Sequence, residues 1–117
     1  MKAFVLALML LFGVELSMRG AAHANESTDK QAFVARCTKC HAESGTGTFM
    51  LGRRYGKEKA MLERRADLAP DMIRHVVRNG IVSMPALTRV EVTDAELDSI
   101  VRYLTRTQAA TAPLTKP

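Results

Sequence analysis

Apolar residues along this chain form one unbroken run and three stretches of helical period. The run AFVLALMLLFGV, residues 3–14, follows a short positive start at Met1 and Lys2 and stops at Glu15. Ala22-His23-Ala24 then offers a small-x-small cleavage pattern, so residues 1–24 read as a secretory signal peptide cut after Ala24. Twelve apolar residues are too few to span a bilayer core as a retained anchor. A first helix is expected over DKQAFVARCTKC, residues 29–40, where Phe33 and Cys37 lie four apart on one face. Thr28 and Gln31 are spaced as a capping box at its start. AESGTGT, residues 42–48, reads as a loop, and a short helix is expected over 58–65. A further helix starts with Pro70 at its first position, turns Ile73, Val76 and Val77 to one side, and stops at Gly80. IVSMPALTRVEV, residues 81–92, has no helical period, and Pro85 interrupts it. Thr93 and Glu96 form a capping box for the last helix, with Leu97, Ile100, Val101 and Leu104 inward. The pattern predicts one small all-α domain over residues 25–107 and a flexible tail over 108–117.

Composition changes this picture in one respect. Cleavage leaves 93 residues with a net charge of about +4 and no tryptophan, a chain with little core of its own. An added apolar group would help such a domain. The charge excess is too small to imply nucleic acid as a partner, and no recognition motif is present.

The only cysteines are Cys37 and Cys40, which close too short a loop to staple a domain. With His41 they spell C-x-x-C-H, the covalent attachment pattern of c-type haem. Two thiols on one helical turn can each add to a porphyrin vinyl group, and the adjacent imidazole can then reach the iron. A structural zinc site needs four ligands, and the cleaved chain has one further histidine, His75. A thioredoxin-like pair would open a helix after a strand, whereas these cysteines close one. For the second axial position the candidates are Met50, Met61, Met72, Met84 and His75. Met84 is preferred because it lies 43 residues beyond His41, in the non-helical stretch, immediately before Pro85. Imidazole and thioether together fill the coordination shell, which suits electron transfer rather than chemistry at the iron. The basic run RRYGKEKAMLERR, residues 53–65, carries six cations and two acids. Most of it reads as solvated surface, with Arg53, Arg54 and Tyr55 as candidate contacts to the haem propionates.

CTKCH, NGIVSMPAL and ELDSIVRYL resemble a class I cytochrome c across residues 30–106. The resemblance implies a small helical domain wrapped around one covalent haem c with His41 and Met84 as axial ligands. It also implies that Phe33 crosses Tyr103 and Leu104 of the last helix. Such proteins place a proline soon after the haem motif, and its carbonyl receives the proton of the ligand histidine. Here no proline occurs between His41 and Pro70, so a backbone carbonyl near Leu51 or Gly52 is expected to take that part. Within the family, MLGRRYGKEKAMLERRADLAPDMIRHVVRNGI and VTDAELDSIVRYL are similar to the cytochrome subunit of 4-cresol dehydrogenase and related alkylphenol flavocytochromes. That likeness implies a periplasmic electron-transfer subunit, not itself an enzyme. A FAD-containing dehydrogenase would donate the electrons, and a soluble cytochrome or cupredoxin would accept them. A free-standing shuttle, a haem ligand sensor and a small peroxidase are the alternatives.

Overall fold

The protein is described by a computed structural model covering residues 25–111, with side chains as far as Arg106. The expected signal peptide and residues 112–117 lie outside the described residues. Helix α1 covers residues 25–41. It is followed by α2 (Thr46–Tyr55), two 3-10 turns (Lys57–Lys59 and Leu62–Arg64), α3 (Pro70–Asn79) and α4 (Asp94–Thr111). No strand occurs among the described residues, and the class is all-α as the pattern predicts.

Several boundaries differ from the sequence reading. Helix α1 is already running at residue 25, so the Thr28–Gln31 spacing marks no helix start. The expected 42–48 loop shrinks to four residues, because Gly45 acts as the N-cap of a helix that composition did not reveal. The helix expected over 58–65 is instead two single turns, divided where Met61 adopts an extended conformation (φ −86°, ψ 115°). Helix α4 continues through 108–111, residues assigned to the tail; Gln108, Ala109 and Ala110 are good helix formers. By contrast, α3 starts at Pro70 and stops at Gly80 (φ 74°), as expected.

The core lies where α1, α3 and α4 meet. Phe33 is fully buried, and its ring centre is 5.3 Å from that of Tyr103 at a 40° tilt. Leu97, Ile100, Val101 and Leu104 of α4 surround it with Ile73, Val77, Leu68 and Val92. The Tyr103 hydroxyl donates to Glu63, bringing the second 3-10 turn onto α4. Burial, helped by the Glu63 carboxylate, pushes the tyrosine pKa up to about 12. Arg74 pairs with Asp98 and Arg78 with Asp94, fastening α3 to α4.

Two ion pairs join α1 to α4. Glu96 uses one oxygen for the Arg36 guanidinium (2.8 Å) and the other for the Thr93 backbone N–H and hydroxyl (both 2.8 Å). The Glu96 backbone N–H donates back to Thr93 Oγ1 at 3.2 Å, completing the expected capping box. The Thr93 N–H, with Arg36 beside it, lowers the Glu96 carboxyl to about 2. Near the other end of α1, Asp29 receives two hydrogen bonds from Arg102, at 2.9 and 2.7 Å, and is almost fully buried.

The Arg102 hydrogen bonds hold the Asp29 carboxyl below its ordinary value. A depressed folded pKa stabilises the fold above the unfolded value, near pH 4. That contribution is lost as pH falls through the folded pKa. Asp29→Asn is therefore expected to cost about 1–3 kcal/mol at pH 7. Urea denaturation of wild type and variant should converge as pH is lowered from 5 towards 3. An equal gap at both ends of that window would remove the pair from the acid response.

Candidate haem site

The last turn of α1 presents Cys37, Cys40 and His41 together. Cys37 follows Phe33 by four residues and packs partly buried against the core cluster, while Cys40 is exposed. Thr38 donates its hydroxyl to the Val34 carbonyl at 2.7 Å, and the Ala42 N–H closes the turn on the Thr38 carbonyl at 2.9 Å. Both thiols are free. Burial pushes the Cys37 thiol up to about 11, opposite to the shift that makes a reactive C-x-x-C thiolate. Among the described residues, no three His, Cys, Asp or Glu side chains gather into a metal-holding cluster.

Chain direction reverses immediately after His41, and two glycines allow it. A Cβ on Gly45 would stand 2.2 Å from the Cys40 carbonyl oxygen. A Cβ on Gly47 would stand 2.8 Å from that oxygen, 2.9 Å from His41 Cε1 and 3.0 Å from His41 Nδ1. The start of α2 therefore lies directly against the imidazole. Burial lowers the His41 pKa, favouring the neutral ring that a metal requires. Its Nδ1 is buried and has no hydrogen-bond partner. The expected carbonyl near Leu51 or Gly52 does not serve it; the Gly52 carbonyl accepts the Gly56 N–H at 3.1 Å within the helix end.

Met84 sits in a loop fixed at both ends. The Ile81 N–H donates to the Met84 carbonyl (3.0 Å), and the Met84 N–H donates to the Ile81 carbonyl (2.9 Å). This tight turn holds Val82 at φ 53°, an uncommon conformation for a β-branched residue. Gly80 is required beside it, since a Cβ there would meet the Met84 carbonyl oxygen at 2.7 Å. On the other side the Leu87 N–H bonds the Val77 carbonyl at 2.8 Å, and Arg78 donates to the Leu87 carbonyl at 3.1 Å. The Met84 side chain is half-buried and packs against the same core cluster as Cys37. The structure thus gathers Cys37, Cys40 and His41 on one turn and brings Cys37 and Met84 onto one core.

The other candidate ligands lie elsewhere. Met50 and Met72 are exposed, and Met61 is half-buried beside the 3-10 turns. His75 is exposed on α3, with its Nδ1 3.3 Å from the Asn79 amide.

In the basic run, Arg53 and Arg54 are exposed in the last turn of α2; Arg53 lies over Phe49 and Arg54 over Tyr55. Arg65, which sequence reading did not single out, covers the same Tyr55 ring with its guanidinium 5.6 Å away. Its side chain is only 11% exposed and pairs with Asp67 at 2.8 Å. Gly45, Gly47 and Thr48 were also missed as site residues. Their signal was visible as two glycines two apart, at the fourth and sixth positions after the histidine.

Two thiols, an imidazole with its Nδ1 already turned inward, and a thioether on a braced loop are donor types that fit a haem c. The family model described as "Cytochrome C oxidase, cbb3-type, subunit III" matches residues 24–104. No curated protein matches the chain, and no solved structure does. The match covers both the C-x-x-C-H turn and the Met84 loop, and so the chain belongs to this family and is a class I c-type cytochrome, a haem c protein of electron transfer.

Proposed function

We propose that Cys37 and Cys40 hold the haem through thioether bonds and that His41 and Met84 are its axial ligands. On this reading the chain is a periplasmic carrier for a FAD-containing alkylphenol dehydrogenase, passing electrons to a soluble cytochrome or cupredoxin. The observation that supports it most is the shared core, which packs the helix carrying Cys37 and the loop carrying Met84 against one cluster. When bound, the haem supplies a one-electron couple with no open coordination position. The chain's own residues do the rest. Neutral His41 is steadied by the close approach of Gly47, and Met84 is held by the Ile81 turn and by Arg78. A soft thioether favours ferrous iron and so raises the potential, as an acceptor from reduced flavin needs. Tyr55, bracketed by Arg54 and Arg65, is the natural place for propionate contacts. The dehydrogenase partner rests on the likeness of residues 50–81 and 92–104 to alkylphenol flavocytochromes.

Met84→Ala is expected to abolish the red charge-transfer band of ferric iron–thioether ligation, lower the reduction potential and admit CO. An unchanged spectrum and potential would remove Met84 from the iron. For the partner, the test is purification of the native protein: flavin and haem in equal amounts, with haem reduced by an alkylphenol, is the expected result. A monomer that elutes alone and accepts electrons from several donors would instead make it a free-standing shuttle.

A further inference from the structure

Two buried polar side-chain atoms among the described residues have no hydrogen-bond partner: His41 Nδ1 and Thr48 Oγ1. They belong to one corner of the molecule. Gly47, whose Cβ position would be 3.0 Å from Nδ1, is the residue immediately before Thr48. Thr48 itself is 6% exposed and the only buried residue of α2. Buried hydroxyls and ring nitrogens are nearly always paired, because an orphan forfeits its hydration without return. The two do not bond each other in this structure, so one shared partner lying between them would satisfy both. In the tautomer that leaves Nε2 free for a metal, Nδ1 carries a proton and needs an acceptor. A threonine hydroxyl offers acceptor lone pairs, and a buried water between the two would gain polar partners on both sides.

We propose that Thr48 is the positioning residue of His41, its hydroxyl accepting the Nδ1 proton through one buried water. It thereby does the work that a proline carbonyl does in related proteins and that no proline between His41 and Pro70 can do here. The inference rests on the reading that His41 ligates the iron, and it adds what orients that ligand. An acceptor on Nδ1–H makes Nε2 a stronger donor and stabilises ferric iron, so its loss shifts the couple towards ferrous.

The test uses the ferrous holo-protein labelled with 15N-histidine. In wild type, the Nδ1 proton of His41 is expected to exchange slowly with water and to show a nuclear Overhauser contact to the Thr48 methyl. Thr48→Val keeps the shape and removes the acceptor. It is expected to speed that exchange and to raise the ferrous-to-ferric ratio at fixed poise. Thr48→Ser should restore wild-type values, which a purely steric role would not predict. Ring-shifted His41 protons report ligation independently. If they are present while the Thr48 contact is absent, or Val and wild type have the same potential, the inference is overturned and ligation by His41 stands. If they are absent, ligation itself fails. Should Thr48→Val not fold, the wild-type contact and exchange rate decide alone.

Discussion

Phe33→Ala is expected to destabilise the holo-protein by about 3–5 kcal/mol, read as a lower urea midpoint with little change in slope. Phe33 is surrounded by core neighbours and not at all exposed to solvent, and with Ile100 it is among the largest fully buried side chains of the described residues. Truncation removes the ring that Tyr103 leans on and leaves a cavity among α1, α3 and α4. Collapse into that cavity is restricted. Tyr103 is held at its hydroxyl by Glu63, and α4 is tied to α1 by Arg36–Glu96 and Asp29–Arg102. A domain of this size has roughly 5–15 kcal/mol of stability, so the loss takes a large share of it. Val34 is the matched control: it is the next residue on the same helix and 48% exposed, so Val34→Ala should cost less than about 1 kcal/mol. Equal costs at the two positions would mean that the α1–α4 contact does not carry the fold.

Gly45→Ala is expected to prevent accumulation of haem-loaded protein. Its Cβ would lie 2.2 Å from the Cys40 carbonyl oxygen and 2.5 Å from the carbonyl carbon. Neither atom belongs to a flexible side chain that could swing away, so the reversal after α1 must open. Cys40 and His41 would move with it. Overpacking typically costs about 1–3 kcal/mol, and a clash confined to backbone belongs at the upper end or beyond. Gly52→Ala separates this from ordinary glycine replacement, because its Cβ would meet only the Ala60 Cβ, at 3.3 Å. Within α2, the alanine's helical preference of about 1 kcal/mol offsets that tightness, so haem content should remain near wild type. Haem content per chain and the melting curve check both variants. Normal loading of Gly45→Ala would show that the turn can relax in a way the geometry does not suggest.

What the sequence made legible follows how locally each feature is encoded. The candidate donors stand in short local motifs: Cys37, Cys40 and His41 lie within five positions, and Met84 stands beside Pro85. Helices α3 and α4 announced their ends through Pro70, Gly80 and the Thr93–Glu96 pair, whose hydrogen bonds depend only on near neighbours. Helix α2 did not. Its residues include Gly47, Gly52 and Thr46, a composition of loops, and it is stabilised by a close approach to the end of α1 that no local pattern records. The same reason hid Arg65. Its distinction from Arg53 and Arg54 lies in its burial and its pairing with Asp67, and its place over Tyr55, ten residues earlier, comes from the chain doubling back. The expected carbonyl for His41 failed because Leu51 and Gly52 lie inside α2, where carbonyls point along the helix towards later N–H groups.

The division of the Glu96 carboxylate has a kinetic meaning. One oxygen secures the first turn of α4, a local event, and the other meets a guanidinium sixty positions earlier in the chain. Closing so long a segment carries an entropic toll that helix initiation alone does not. Because a single side chain joins the two, nucleating the final helix prepares the anchor on which distant chain closure settles, and closure in turn protects that nucleus from fraying.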